Sequence, residues 1–260
     1  MPVAQRLRVR YAKRGRLRFT SHRDISRAVE RAVRRADIPV AFSAGFTPHP
    51  KISYAGAAPT GVASEAEYLE IGVVRPCDPL GLRDTLDASL PPGLDVLDVV
   101  EARGGNLADR LEVSVWQIRL PGADPVAAAQ AAERFLATGR VEVERLTKKG
   151  LRRFDARGAV EALVVMEGTD RAAGREPIRP CAILRMVVRH LTPAVRPDDV
   201  LTGLRLVAGF VPPSPPEVTR LAQGPLDTVT GEPADPLDLD RDVRGGEMES
   251  AGQQYVGGDI

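Results

Sequence analysis

Twice along this chain a strand pattern gives way to a capped helix, and this double change of period constrains the fold more than any other feature. In residues 6–12, Leu7, Val9 and Tyr11 fall on one face and Arg6, Arg8 and Arg10 on the other, as in a half-buried strand with a basic outer side. Lys13-Arg14-Gly15 reads as a turn, after which Leu17 and Phe19 resume the strand. Ser21 followed by Asp24 is a capping pattern. Ile25, Ala28, Val29, Ala32, Val33 and Ala36 then form one apolar stripe that stops near Asp37, before Pro39. A short strand at 39–43, a strand at 67–74, a helix at 80–90 and a strand at 94–100 complete the first series. The second series has a strand at 111–120, a helix opened by Asp124 and Pro125 that runs to Leu136, strands at 140–146, 162–166 and 183–190, and a helix at 197–207. Its last strand is not assignable. The fold expected is α+β: two ferredoxin-like (split βαβ) halves in tandem, residues 1–103 and 104–227, joined near 102–109. A disordered acidic tail is expected over 228–260, where Pro, Gly and acids dominate.

The formal net charge of +1 conceals a segregation. Residues 1–54 hold 13 Lys or Arg against Asp24, Glu30 and Asp37, a net of +10, whereas residues 224–260 sum to −7. A second basic cluster spans 145–157. Separated charge of this kind creates a field that suits a polyanion, so RNA is the expected partner. The contact residues expected are Arg8 and Arg10 on the first strand and Arg18, Arg23 and Arg27 around the first helix. In the proline-rich loop they are Phe46, His49, Lys51 and Tyr54, where rings can stack on bases and cations can meet phosphates. Lys148, Lys149, Arg152 and Arg153 read as the tip of a basic hairpin. The acidic tail is expected to fold back on the basic half as a mimic of RNA.

Chemistry is less evident. His22, His49 and His190 with Cys77 and Cys181 show no ligand spacing, so neither metal nor cofactor is expected. No Ser or Cys stands in an activating motif, and no phosphate-binding glycine loop is present. His22 and His49 are the candidates for a general base, with Lys51 or Tyr54 beside them, and no catalytic residue is assigned. Two cysteines, no secretory pattern and no long apolar run make a cytoplasmic location, away from membranes, the expectation.

Several segments carry a resemblance. They are Arg18-Phe19 to Asp24, Gly45-Phe46-x-Pro48-x-Pro50-Lys51-Ile52-Ser53, Gly61-Val62 and Ser64-x-x-Glu67-Tyr68. Lys148-Lys149-Gly150 with Arg152 and Asp155, and Leu191-Thr192-Pro193 to Val200-Leu201, add to them. Over residues 5 to 225 the chain resembles the radical-SAM-linked family of uncharacterised bacterial proteins. The resemblance implies a radical S-adenosylmethionine protein as partner. This chain lacks the Cys-x-x-x-Cys-x-x-Cys that holds such an enzyme's cluster, so the resemblance places the radical step in the partner. The function expected is a non-catalytic RNA-binding or substrate-presenting accessory module. The alternatives are a protein–protein adaptor without nucleic acid, or an RNA-processing or RNA-modifying enzyme.

Overall fold

The alternation at the start of the chain forms β1 (Gln5–Lys13), with Leu7, Val9 and Tyr11 buried. The structure is a computed structural model and describes residues 2–147, 150–170 and 179–241. Leu17 and Phe19 do not resume the strand, because residues Gly15–Phe19 coil into a 3-10 turn that Gly15 enters at φ +56°. α1 (His22–Arg35) begins as its cap predicts, with the Ser21 hydroxyl accepting the Asp24 N–H at 3.3 Å. The strand expected at 39–43 shrinks to isolated bridges, Val40 to Val73 and Phe42 to Pro50. Its place beside β3 (Ala63–Val73) is taken by β2 (Ile52–Ala55), inside the segment read as a loop. α2 (Pro79–Ser89) and β4 (Leu94–Glu101) follow.

The second series forms β5 (Val113–Pro121), α3 (Pro125–Ala137), β6 (Glu142–Thr147), β7 (Gly150–Asp155), β8 (Val160–Asp170), β9 (Arg179–Arg189), α4 (Pro197–Ala208) and β10 (Glu217–Gly224). β6 and β7 make a hairpin of their own. All other strands join one eight-stranded sheet, ordered β4-β1-β3-β10-β5-β9-β8, with β2 also paired to β3. Thus the strands of both halves of the chain share a single mixed sheet. The seam is the short parallel pairing of β3 with β10, where Ala63 meets Thr219 and Ser64 meets Arg220.

Two apolar clusters line the helix side of this sheet. Leu7, Val9, Leu69 and Ile71 pack with Ile25 and Val29 of α1 and Leu86 of α2. Ile118, Leu120, Leu184 and Met186 pack with Phe135 of α3 and Leu204 of α4. Part of the opposite side is covered by residues 225–241, which corrects the expectation of disorder from residue 228. Leu237 is fully buried against Ala66, Tyr68 and Leu111. The Ala234 N–H donates to the Pro225 carbonyl at 2.9 Å. A Cβ on Gly224 would lie 2.0 Å from the Ala234 carbonyl oxygen, so only glycine admits this close pass. Residues 242–260 of the expected tail lie outside the described residues. Among the described residues, no helix is long and apolar enough to cross a membrane.

Candidate functional site

The structure divides the residues expected to contact RNA into buried and exposed groups. Arg8 is 1% exposed and belongs to the interior. Its Nη1 donates to both oxygens of Asp240 at 2.8 and 2.7 Å, its Nη2 to the Gly105 carbonyl at 2.6 Å, and its Nε lies 3.3 Å from Glu70. Arg110 meets the same carboxylate at 2.6 Å. Burial alone would raise the Asp240 pKa, but Arg110, the Arg103 N–H and Arg8 hold it below the ordinary value. A guanidinium saturated in this way cannot meet a phosphate, which corrects the placing of Arg8 at the RNA surface. Arg10 is half-buried and donates to the Glu65 carbonyl at 3.0 Å.

α1 behaves differently. His22, Arg23, Arg27, Arg31, Arg34 and Arg35 are exposed along its outer side, because the apolar stripe takes every inward position. The ion pair of Arg27 with Asp24, at 3.7 Å, is exposed and holds the arginine only weakly. Arg18 lies half-buried with its guanidinium 4.7 Å from the Phe19 ring centroid.

The loop that leads into β2 is closed at its neck. Ser43 donates its N–H to the His49 carbonyl at 2.9 Å, and His49 donates its own to the Ser43 hydroxyl at 3.0 Å. Phe46 is fully exposed at the tip, with His49 and Lys51 exposed beyond it. Tyr54 is turned inward against the core under α1, and its ring meets His22 edge to face at 5.0 Å. Burial pushes the phenol up to about 12. Tyr54 is therefore a packing residue and offers no free face to a base, a second correction.

In the hairpin, Arg152 and Arg153 are exposed on β7, Arg153 pairing with Glu144 at 2.6 Å. Lys148 and Lys149 lie outside the described residues. Arg145 is turned toward α4, 2.8 Å from Asp199, with its guanidinium 4.8 Å from the Phe154 ring centroid. The hairpin therefore packs over the second half of the sheet, whereas α1 covers the first.

Between these regions lies a site that sequence reasoning missed. At the β3–β10 seam the helix side of the sheet turns polar. Arg220, 3% exposed, pairs with buried Glu67, and its Nε lies 3.3 Å from the Ser64 hydroxyl. Its guanidinium sits 5.5 Å from the Trp116 ring centroid. Glu67 also accepts the Ala58 N–H at 3.1 Å. Lys13, buried and with its pKa lowered chiefly by desolvation, donates to the carbonyls of Ala58 and Pro59 at 3.2 and 3.1 Å. These contacts hold residues 56–59 over a cavity of about 250 Å³.

Ser114 and His190 line the same cavity. His190 Nδ1 is 2.6 Å from the Leu111 carbonyl, which accepts only, so Nδ1 carries the proton. Nε2 then accepts the Ser114 hydroxyl at 2.7 Å. Desolvation lowers the His190 pKa, which keeps the pair neutral. The one signal in the sequence was that Lys13 and Glu67 share the inward register of their strands with apolar residues. Ser114 sits within an apolar run, and Arg220 in a segment given no element.

Comparison with known proteins bears on the chain as a whole. The family described as "Uncharacterized protein conserved in bacteria (DUF2344)" matches residues 6–197. No curated protein matches. A crystal structure of an unknown protein from Galdieria sulphuraria is similar at 14% identity, over 78% of this chain and 91% of that one, with a TM-score of 0.23. A score that low carries no argument about the fold.

Proposed function

The chain belongs to this family of uncharacterised bacterial proteins, whose description carries no reaction, and we propose that it is a non-catalytic RNA-binding module that presents RNA to a radical S-adenosylmethionine protein. The observation that carries the reading is the outer side of α1. Arg23, Arg27, Arg31 and Arg34 stand exposed there, and the described ion pairs engage Arg27 alone, at 3.7 Å. Guanidinium groups in this state displace counterions from a phosphate backbone without first breaking internal pairs. Phe46 adds an exposed ring on a loop whose following strand is tied to α1 through the Tyr54–His22 contact. The partner reading rests on the resemblance and on the cysteines. Cys77 and Cys181 are both free, Cys181 is fully buried, and two thiolates are too few for a radical enzyme's cluster.

We also read the strand orders β4-β1-β3-β2 and β10-β5-β9-β8 as two ferredoxin-like halves fused edge to edge. In this reading the β3–β10 seam is the join, which supports a boundary near residue 104.

The test is binding of single-stranded RNA to the full chain and to an Arg23→Gln, Arg27→Gln, Arg31→Gln variant. The exposed positions leave folding intact, and the variant binds at least tenfold more weakly. Equal binding by the two proteins overturns the assignment of α1. A nuclease-resistant complex with a protein, and no RNA affinity, replaces the reading with that of an adaptor.

A further inference from the structure

The cavity at the β3–β10 seam has a chemistry that the exposed arginine face lacks. We propose that it is a binding site for one nucleoside monophosphate unit, free or at the end of an RNA chain. The inference rests on the RNA reading for the class of ligand and on the cavity for everything else.

The lining combines apolar walls from Trp116, Val188 and Val195 with two guanidinium groups, Arg196 and Arg220, and no carboxylate. Two acids stand behind this lining: Glu67 is committed to Arg220 and to the Ala58 N–H, and Asp199, which accepts the Arg196 N–H at 2.7 Å, is paired with Arg145 at 2.8 Å. An anion entering the cavity thus meets two guanidinium groups in a lining that contains no carboxylate. Arg196 is exposed beside Asp199 and enters none of the described ion pairs, so it can turn to a phosphate, whereas Arg220 is fixed over the indole and supplies charge from below. Because the Ser114 hydroxyl spends its proton on His190, its lone pairs are left to accept from a base N–H or a ribose hydroxyl. The volume, about 250 Å³, lies just under the range of about 300–1,000 Å³ for sites that enclose drug-sized molecules. It suits one nucleotide unit and excludes a stretch of polymer. Apolar walls with a few placed polar groups are the usual make-up of a small-molecule site.

Trp116 is the only tryptophan in the chain, so its fluorescence reports on this cavity alone. The experiment titrates the full chain with adenosine and uridine monophosphates, with the matching nucleosides, and with inorganic phosphate. Either nucleotide changes the emission saturably at micromolar to millimolar concentration. The nucleosides and phosphate act at least tenfold more weakly. Arg196→Gln weakens the nucleotides about tenfold and leaves the nucleosides unchanged. The Arg23, Arg27, Arg31 variant responds to nucleotides as the parent does.

No saturable response to any nucleotide, or a response to phosphate equal to that of the nucleotides, overturns the proposal without recourse to a variant. RNA binding with a silent Trp116 removes the cavity site and spares the RNA reading. A nucleotide response without RNA binding does the reverse. A 5′-phosphorylated oligonucleotide that responds where its unphosphorylated form does not assigns the site to chain ends.

Discussion

The guanidinium of Arg8 and the carboxylate of Asp240 meet at 2.7 Å although 232 positions separate them, and both are buried. This pair pins the end of the described chain to the outer side of β1. It also explains why a basic face that looks free in the sequence is occupied by the protein's own acid. Arg110 and the Arg103 N–H converge on the same carboxylate. Replacing Asp240 with alanine leaves two buried or half-buried guanidinium groups without their acid, a loss expected to cost about 3–5 kcal/mol. Urea unfolding measures it. An Arg8→Met, Asp240→Leu double variant, which leaves Arg110 alone without its acid, recovers part of that loss, and a double variant as unstable as the single one contradicts the account.

The same geometry gives the acidic segment a role in binding. Besides Asp240, Glu232 pairs with Arg185 at 2.6 Å, and Asp235 pairs with Arg241 at 2.9 Å. Removing residues 228–260 uncovers Arg8, Arg110 and Arg185 together. RNA binding by the shortened chain is expected to tighten severalfold, read by filter retention beside the full chain. The shortened chain also melts lower, because Leu237 no longer fills its site. Removing only residues 242–260 leaves these pairs in place.

His190 sets a pH dependence whose sign follows from its burial. Desolvation depresses its pKa below the ordinary 6.5, although the Leu111 carbonyl acts the other way. Between the folded value and 6.5 the unfolded chain binds more protons than the folded one. The contribution to stability is therefore full above pH 6.5 and is lost as the pH falls toward and through the folded value. Urea midpoints taken from pH 7 to pH 5 should fall, and a His190→Gln variant should flatten that part of the profile. An identical slope in the variant assigns the effect to another group.

Phe46 separates binding from folding. Its ring is fully exposed and fills no part of the core, so Phe46→Ala leaves the melting temperature unchanged within about a degree. A base stacked on that ring is worth about 1–3 kcal/mol, which predicts RNA binding weaker by roughly five- to a hundredfold. Unchanged affinity removes the loop from the interface.

The elements with local signals were legible in the sequence. Ser21 capping α1, Asp124 and Pro125 opening α3, and the alternation of β1 all stand where the pattern puts them. The elements that depend on distant partners were not. β2 lies in a proline-rich stretch and forms because β3 offers it an edge, Ile52 meeting Ile71 and Tyr54 meeting Leu69. β10 follows Pro212, Pro213, Pro215 and Pro216, which mask its start, and it exists to join two sheet edges. The candidate site divides the same way. The outward arginines of α1 follow from helical period alone, whereas Ser114, His190 and Arg220 are brought together only by the order of strands. Arg8 was misread because alternation shows which side of a strand a residue takes and not what covers that side.

The account depends most on the arginine side of α1 engaging a phosphate backbone. The direct measurement is the affinity of the full chain for single-stranded RNA over a range of salt concentrations, plotted as logarithms. Each phosphate neutralised on a single strand contributes a slope of about −0.7. The parent should give a straight line of slope near −3, and replacement of Arg23, Arg27 and Arg31 by glutamine should reduce its magnitude by about 2. A flat line, or a slope that the three substitutions leave unaltered, contradicts the proposed interface.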